Sequence, residues 1–254
     1  MTGPPSRDGF ANYFGPQAER YAERRPTYPT ALFHYLAVVS VRTRLAWDCA
    51  TGNGQAAVGI ASRFAKVVAT DASAEMIAHA VRHPRIRYAV AKYESGIPDG
   101  ACDLVTVAQA LHWLDLDALM AECRRVLAPG GLFAAWGYSL CRIAPPIDEI
   151  VDAFYRVTVG SYWPPERRHV DDQYRSLALP IDEIVPPPFV MAHDWSLVEF
   201  ARYVRTWSAV NGLIAARGEE PVRLFEASLR RAWGNPGLRR TVTFPLFFRI
   251  GHLR

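Results

Sequence analysis

Residues 44–55, RLAWDCATGNGQ, decide how this chain folds. Residues 44–49 are an apolar run suited to one buried strand. A turn follows at Gly52 and Gly54, and QAAVGIASRF (residues 55–64) then sets Val58, Ala61 and Phe64 on one helical stripe. Glycines in that turn let backbone pass close to a ligand, and the helix behind them directs free N–H groups at it. Asp48 stands at the head of the turn. A second acid, Asp71, closes the next apolar run, KVVATD (residues 66–71). An acid at the tip of the second strand suits the two hydroxyls of a ribose. Together these features describe a site for a nucleoside-containing cofactor.

Outward from this stretch, strand and helix alternate. Ser73 is placed to cap a helix over residues 74–81. Residues 85–91 read as a third strand, 94–101 as a turn-rich loop and 103–108 as a fourth strand. A helix begins at about Asp115 and is expected to stop at Pro129-Gly130-Gly131, with glycine as its C-cap. Residues 132–138 make a fifth strand. This rhythm predicts a Rossmann-like, doubly wound α/β fold: a mostly parallel sheet of seven strands, the last antiparallel, with a helical cap. After Tyr138 the rhythm breaks. Residues 141–184 read as irregular to helical, Pro186, Pro187 and Pro188 as a stiff connector, and 189–195 as a sixth strand. Residues 196–217 read as one helix capped by Ser196, 220–233 as another, and 241–253 as the last strand, with an edge or bulge at Pro245. Upstream, residues 17–40 give two short helices broken at Pro26 and Pro29. Tyr13, Tyr21, Arg24, Arg25 and Tyr28 mark that segment either as a surface helix pair or as a lid. The expected division is a lid over 1–40, a cofactor-binding core over 41–140, a cap insertion over 141–184, and a 185–254 segment completing sheet and cap.

Composition narrows the function. Half of the 254 residues are hydrophobic, which allows one large core, and no run reaches the roughly 18 apolar residues of a membrane span. The N-terminus lacks the apolar stretch of a signal peptide, so a cytoplasmic protein is expected. Cys49, Cys102, Cys123 and Cys141 are far apart, without CxxC, and read as reduced, buried thiols. His34, His79, His83, His169, His193 and His252 share no spacing, so no metal is assigned. A net charge of +4, spread along the chain, permits an anionic small substrate and disfavours nucleic acid.

Gly52 to Ala57 satisfies G-x-G-x-x-A, the dinucleotide fingerprint. Three features turn the reading from a nicotinamide cofactor: Asp48 four residues before Gly52, polar and aromatic groups in AQALHW (108–113) after the fourth strand, and RVLAPGGLFAAWG (125–137) before the fifth. With these the chain resembles class I S-adenosylmethionine-dependent methyltransferases, most of all the small-molecule type of the trans-aconitate and ubiquinone/menaquinone enzymes. DCATGNGQ matches the family's D/E-x-x-x-G-x-G loop, VVATDASAEMI its second motif, and DLVTVAQALHW with RVLAPGG its fourth- and fifth-strand pair. The motifs span about residues 10–140.

The resemblance implies S-adenosyl-L-methionine as cofactor. Asp48, Ala50, Gly52 and Gly54 would line its methionine part and Asp71 its ribose. Ala72 and Met76 would pack on the adenine, with Tyr93 and Glu94 at its edge. Gln109 and Ala110 would sit under the methionine moiety, Arg25 would reach its carboxylate, and His112 and Trp113 would face the methyl group. The family often has a small residue where Tyr93 stands. His112 is the candidate base, needed only if the acceptor loses a proton; otherwise it orients. Met76 and Trp113 also suit plain core packing. Pro186 stands where amino-methyltransferases of nucleic acids need Asp, Asn or Ser, so the prolines read as a linker. Tyr21, Tyr138, Tyr162, Trp163, Arg205 and Trp207 are candidate walls for a small-molecule acceptor (a carboxylate, phenol, enol or amine), with Arg205 either pairing an anion or lying at the surface. No membrane partner is expected, and the chain acts as monomer or homodimer. The competing readings are an NAD(P)-dependent reductase and an RNA-modifying methyltransferase or non-catalytic cofactor binder.

Overall fold

The computed structural model describes residues 26–254. The predicted Tyr13, Tyr21, Arg24 and Arg25 roles lie outside the described residues. The first described helix, α1 (Thr30–Val39), leads to β1 (Leu45–Cys49), α2 (Gln55–Ala61), β2 (Lys66–Asp71), α3 (Ala74–Ala78), β3 (Ile86–Val90) and β4 (Cys102–Ala108). A 3₁₀ turn at Leu111–Trp113 precedes α4 (Leu116–Val126) and β5 (Leu127–Tyr138). The second half holds α5 (Pro145–Ala153), α6 (Arg167–Asp171), β6 (Ile181–Glu183), β7 (Val190–Trp195), α7 (Leu197–Val204), α8 (Ser208–Arg217), α9 (Glu220–Trp233) and β8 (Arg240–Leu253).

The sheet runs β3-β2-β1-β4-β5-β8-β6, with β7 paired to β8. β8 alone opposes the other strands, being antiparallel to β5, β6 and β7. From β1 the chain winds outward through β2 to β3, then returns to lay β4 on β1's other side. The crevice above the carboxyl ends of β1 and β4 is therefore the switch point at which open α/β sheets bind ligands. Burial follows from the strand sequences: after Leu45, every residue of β1 is buried, as parallel strands covered on both faces require. One face packs Leu36, Ile60 and Trp136 under α1 and α2. The other packs Trp47, Val105, Met120 and Tyr174 with α4. A third cluster, including Phe154, Phe200, Phe225 and Phe244, is the core of the cap.

Ser73, Asp115 and Ser196 cap their helices as expected, Ser196 with a full capping box to Glu199. Three details differ from the sequence reading. β6, in the segment that the sequence assigns to the cap, is an eighth strand; only three residues long, it is held by pairing with distant β8. Helix α4 ends at Val126 and passes directly into β5, so Pro129-Gly130-Gly131 is no C-cap. Gly130 takes φ +75° inside the strand, where the β4–β5 register shifts, and its glycine serves that bulge. The helix read over 196–217 breaks at Arg205–Trp207 into α7 and α8, where the Thr206 hydroxyl donates to the Tyr203 carbonyl and Trp207 turns into the cap core. The prolines fill the gap between β6 and β7 along β8, where an edge strand needs no donors.

All four cysteines are unpaired and buried. Burial pushes the Cys102 and Cys141 thiols up to about 12, leaving them as packing groups. Among the described residues no helix is long and apolar enough to cross a membrane.

Candidate active site

The crevice starts with backbone. Ala50, directly after β1, has φ +54° and Gln109, directly after β4, has φ +55°. Two neighbouring strands thus leave the sheet through left-handed residues other than glycine, and such strain collects at ligand sites. Gly52 and Gly54 continue the turn at φ +59° and +87°. Gly54 has a second reason to be glycine: a Cβ there would lie 2.1 Å from the Tyr88 hydroxyl, which donates to the Val81 carbonyl. At Gly52 a Cβ would stand 3.1 Å from the Met76 methyl, so Met76 both packs on the loop and belongs to the core.

Asp71 closes this loop. Its Oδ2 accepts the Gly52 N–H at 2.8 Å and its Oδ1 the Ser73 N–H at 2.8 Å. Each oxygen keeps a further acceptor position. Ala72, between Asp71 and Ser73, is half-buried at the same strand tip. Asp48 lies beneath, fully buried, accepting from the hydroxyls of Thr51 at 2.5 Å and Thr106 at 2.7 Å. Asp48 therefore acts on the crevice through the loop it orders and through its charge. Burial pushes its carboxyl up to about 6 against the pull of both threonines, and the charge of Asp71 adds to the rise. Burial raises Asp71 too. Among the described residues no lysine or arginine forms a salt bridge with either acid.

On the β4 side, the Gln109 N–H donates to the Trp136 carbonyl at 2.7 Å, and Gln109 Oε1 accepts the Tyr138 N–H at 3.0 Å. Gln109 therefore ties the β4 and β5 tips together beside buried Ala110. Tyr93 accepts the Asp115 N–H at 2.7 Å, and exposed Glu94 folds back onto the Tyr93 N–H. His112 packs on Trp113, ring centroids 4.8 Å apart, and its Nδ1 lies 3.1 Å from the Tyr174 hydroxyl. Burial foremost, then the charges of Arg167 and His169, lowers His112 to about 3.

In the cap, Trp163 and Trp207 pack around Tyr155 at 4.9 and 5.6 Å, and Tyr138 sets its edge on Phe244. Tyr162 lies against Gly212 of α8. Arg205 is a correction. Its guanidinium spans Glu226, with Nε–Oε1 at 2.6 Å, and Glu219 at 3.0 Å, so its charge joins the end of α7 to α9. Its charge is taken up by these two carboxylates, and its side chain is partly exposed.

A sequence profile described as a methyltransferase domain matches residues 47–135. A provisionally named methyltransferase of Dictyostelium discoideum is 30% identical over 239 residues, covering 92% of this chain and 91% of that protein. The chain belongs to the methyltransferase family. The Aspergillus candidus methyltransferase cfoB is 30% identical over 201 residues, covering 68% of this chain and 63% of that protein. Among solved structures, a provisionally named type II methyltransferase of Anaeromyxobacter dehalogenans superposes with a TM-score of 0.86 at 42% identity, covering 90% of this chain and 97% of that one.

In this methyltransferase the sequence reading missed four groups. Thr51 and Thr106 were in view but carry no signal without the fold. Arg167 and Tyr174 lie in RRHVDDQYR, a polar run that reads as surface. Clamping by Arg205 also yields an expectation: Arg205→Gln lowers stability by about 1 kcal/mol, since its side chain is 36% exposed and solvent screens the pairs. Thermal unfolding reads that loss, while cofactor affinity stays within about twofold.

Proposed function

We propose that the chain transfers a methyl group from S-adenosyl-L-methionine to a small-molecule acceptor by in-line displacement. The carrying observation is the pair Asp48 and Asp71: two buried acids at adjoining strand tips, without a partner cation among the described residues. A cationic adenosyl ligand suits that charge. The acceptor positions left on Asp71 suit a pair of ribose hydroxyls. Bound there, the sulfonium would supply an electrophilic methyl group for in-line displacement by the acceptor's lone pair, its S–C electrons being left on sulfur.

The chain's residues do the rest. Asp71 orients the ligand, Asp48 holds the loop, and Gln109 fixes the tip of β4 under it. Trp113 and the cap aromatics exclude water, so that positioning lowers the barrier. His112, held low, is neutral through the physiological range and is a weak base there. The reading supports an acceptor that needs no proton removed at the transition state.

Calorimetric titration tests it. S-adenosylhomocysteine binds with one-to-one stoichiometry, and NADH gives no heat of binding at the same concentrations. Nicotinamide binding with no response to S-adenosylhomocysteine transfers the case to the reductase reading.

A further inference from the structure

We propose that the acceptor carries a carboxylate, and that Arg167 and the Nε2–H of His112 bind it; this rests on the methyl-transfer reading above. Arg167 opens α6, which packs on the turn holding His112. Its side chain is only 20% exposed. The Nε donates to the Tyr155 hydroxyl at 2.8 Å and lies 3.7 Å from Asp171 Oδ1. The guanidinium carbon sits 4.9 Å from the Trp163 ring centre and 5.5 Å from that of Tyr155. Aromatic faces stabilise the cation but leave its in-plane donors unused. Among the described residues the two terminal nitrogens of Arg167 make no hydrogen bond. Asp171, itself 51% exposed, is a distant and wet counterion. A planar fork with its two outer donors free is the complement of a carboxylate.

His112 points to the same ligand. Tyr174 is fully buried, and burial raises its phenol, so it keeps its proton. Among the described residues His112 Nδ1, at 3.1 Å, is the acceptor within reach of the Tyr174 hydroxyl, so the phenol proton donates to it. That network assigns the His112 proton to Nε2. His112 then offers a donor, where a base would need a free lone pair. Tyr174 is a positioning residue; it and Gln173 both hold φ near +60°, at +62° and +61°, the conformation that turns the phenol under His112.

The test uses the full-length protein, methyl-labelled cofactor and a protein-free metabolite extract, split on anion-exchange resin into retained and flow-through pools. Label enters the retained pool. Arg167→Gln lowers that transfer at least tenfold, Arg167→Lys restores part of it, and both bind S-adenosylhomocysteine within twofold of wild type. Label confined to the flow-through, or Arg167→Gln transferring at the wild-type rate, overturns the proposal. Absence of S-adenosylhomocysteine binding by the wild type removes the methyl-transfer reading instead. Independently, nitrogen-15 spectra of labelled histidine show His112 protonated at Nε2 at neutral pH, and Tyr174→Phe disturbs that state. Protonation at Nδ1 in the wild type ends the donor role.

Discussion

Asp71→Ala lowers affinity for S-adenosylhomocysteine about 100-fold. Hydrogen bonds to a charged acceptor contribute roughly 1.5–3 kcal/mol each, and two ribose hydroxyls sharing one carboxylate lose about 3 kcal/mol together, or two decades in Kd. The carboxylate also anchors the Gly52 and Ser73 N–H groups, so alanine removes ligand contact and loop closure at once. Asp71→Asn separates these effects, because its single carbonyl keeps one anchor and loses the charge. Its affinity falls between alanine and wild type. Stability changes less than affinity, since removing a buried charge offsets the two exposed donors. Calorimetry reads the affinity and thermal unfolding the stability. A wild-type Kd in the alanine variant removes Asp71 from the ribose, and with it the main support for the cofactor.

That site is legible in sequence because its constraints are local. A left-handed turn asks for glycine, a strand tip ends on an acid, and Ser73 caps the next helix within three residues. The crevice follows from strand order, which alternation implies. Long-range contacts leave no such trace. Ile181–Glu183 becomes a strand only through partners such as His252, seventy residues onward. The helix that Arg167 opens reaches the turn holding His112 only after the cap folds back. Arg205 shows the converse error: an arginine among aromatics looks available until Glu219 and Glu226 arrive from a later helix. Even Pro129-Gly130-Gly131, with the pattern of a helix stop, serves a strand bulge, because β5 begins where α4 ends.

Asp48→Asn gives the second large effect, and its sign depends on pH. In the folded protein the Asp48 carboxyl is pushed from 3.8 up to about 6 by burial. The fold therefore binds that proton more tightly than the unfolded chain does. Its contribution to stability is whole below pH 3.8, declines as pH rises through about 6, and is gone above. The gap corresponds to about 3 kcal/mol of stability lost at neutral pH, as an order of magnitude. Asparagine carries no charge to bury. Its carbonyl still accepts from Thr106, and its amide donates to Thr51 once that hydroxyl rotates. The variant is thus more stable than wild type at pH 7.5, by about 2 kcal/mol, and equal to it near pH 4. Denaturant unfolding at several pH values reads the convergence. Ligand binding moves the other way. The charge retained at Asp48 favours a sulfonium over a neutral thioether, so Asp48→Asn weakens S-adenosylmethionine several-fold more than S-adenosylhomocysteine. By linkage, wild-type binding of the sulfonium at pH 5.5 releases a fraction of a proton, visible as a buffer-dependent heat, and the variant, left with Asp71 alone, shows a smaller one. An unchanged preference between the two ligands would mean that Asp48 braces the loop and its charge does nothing more.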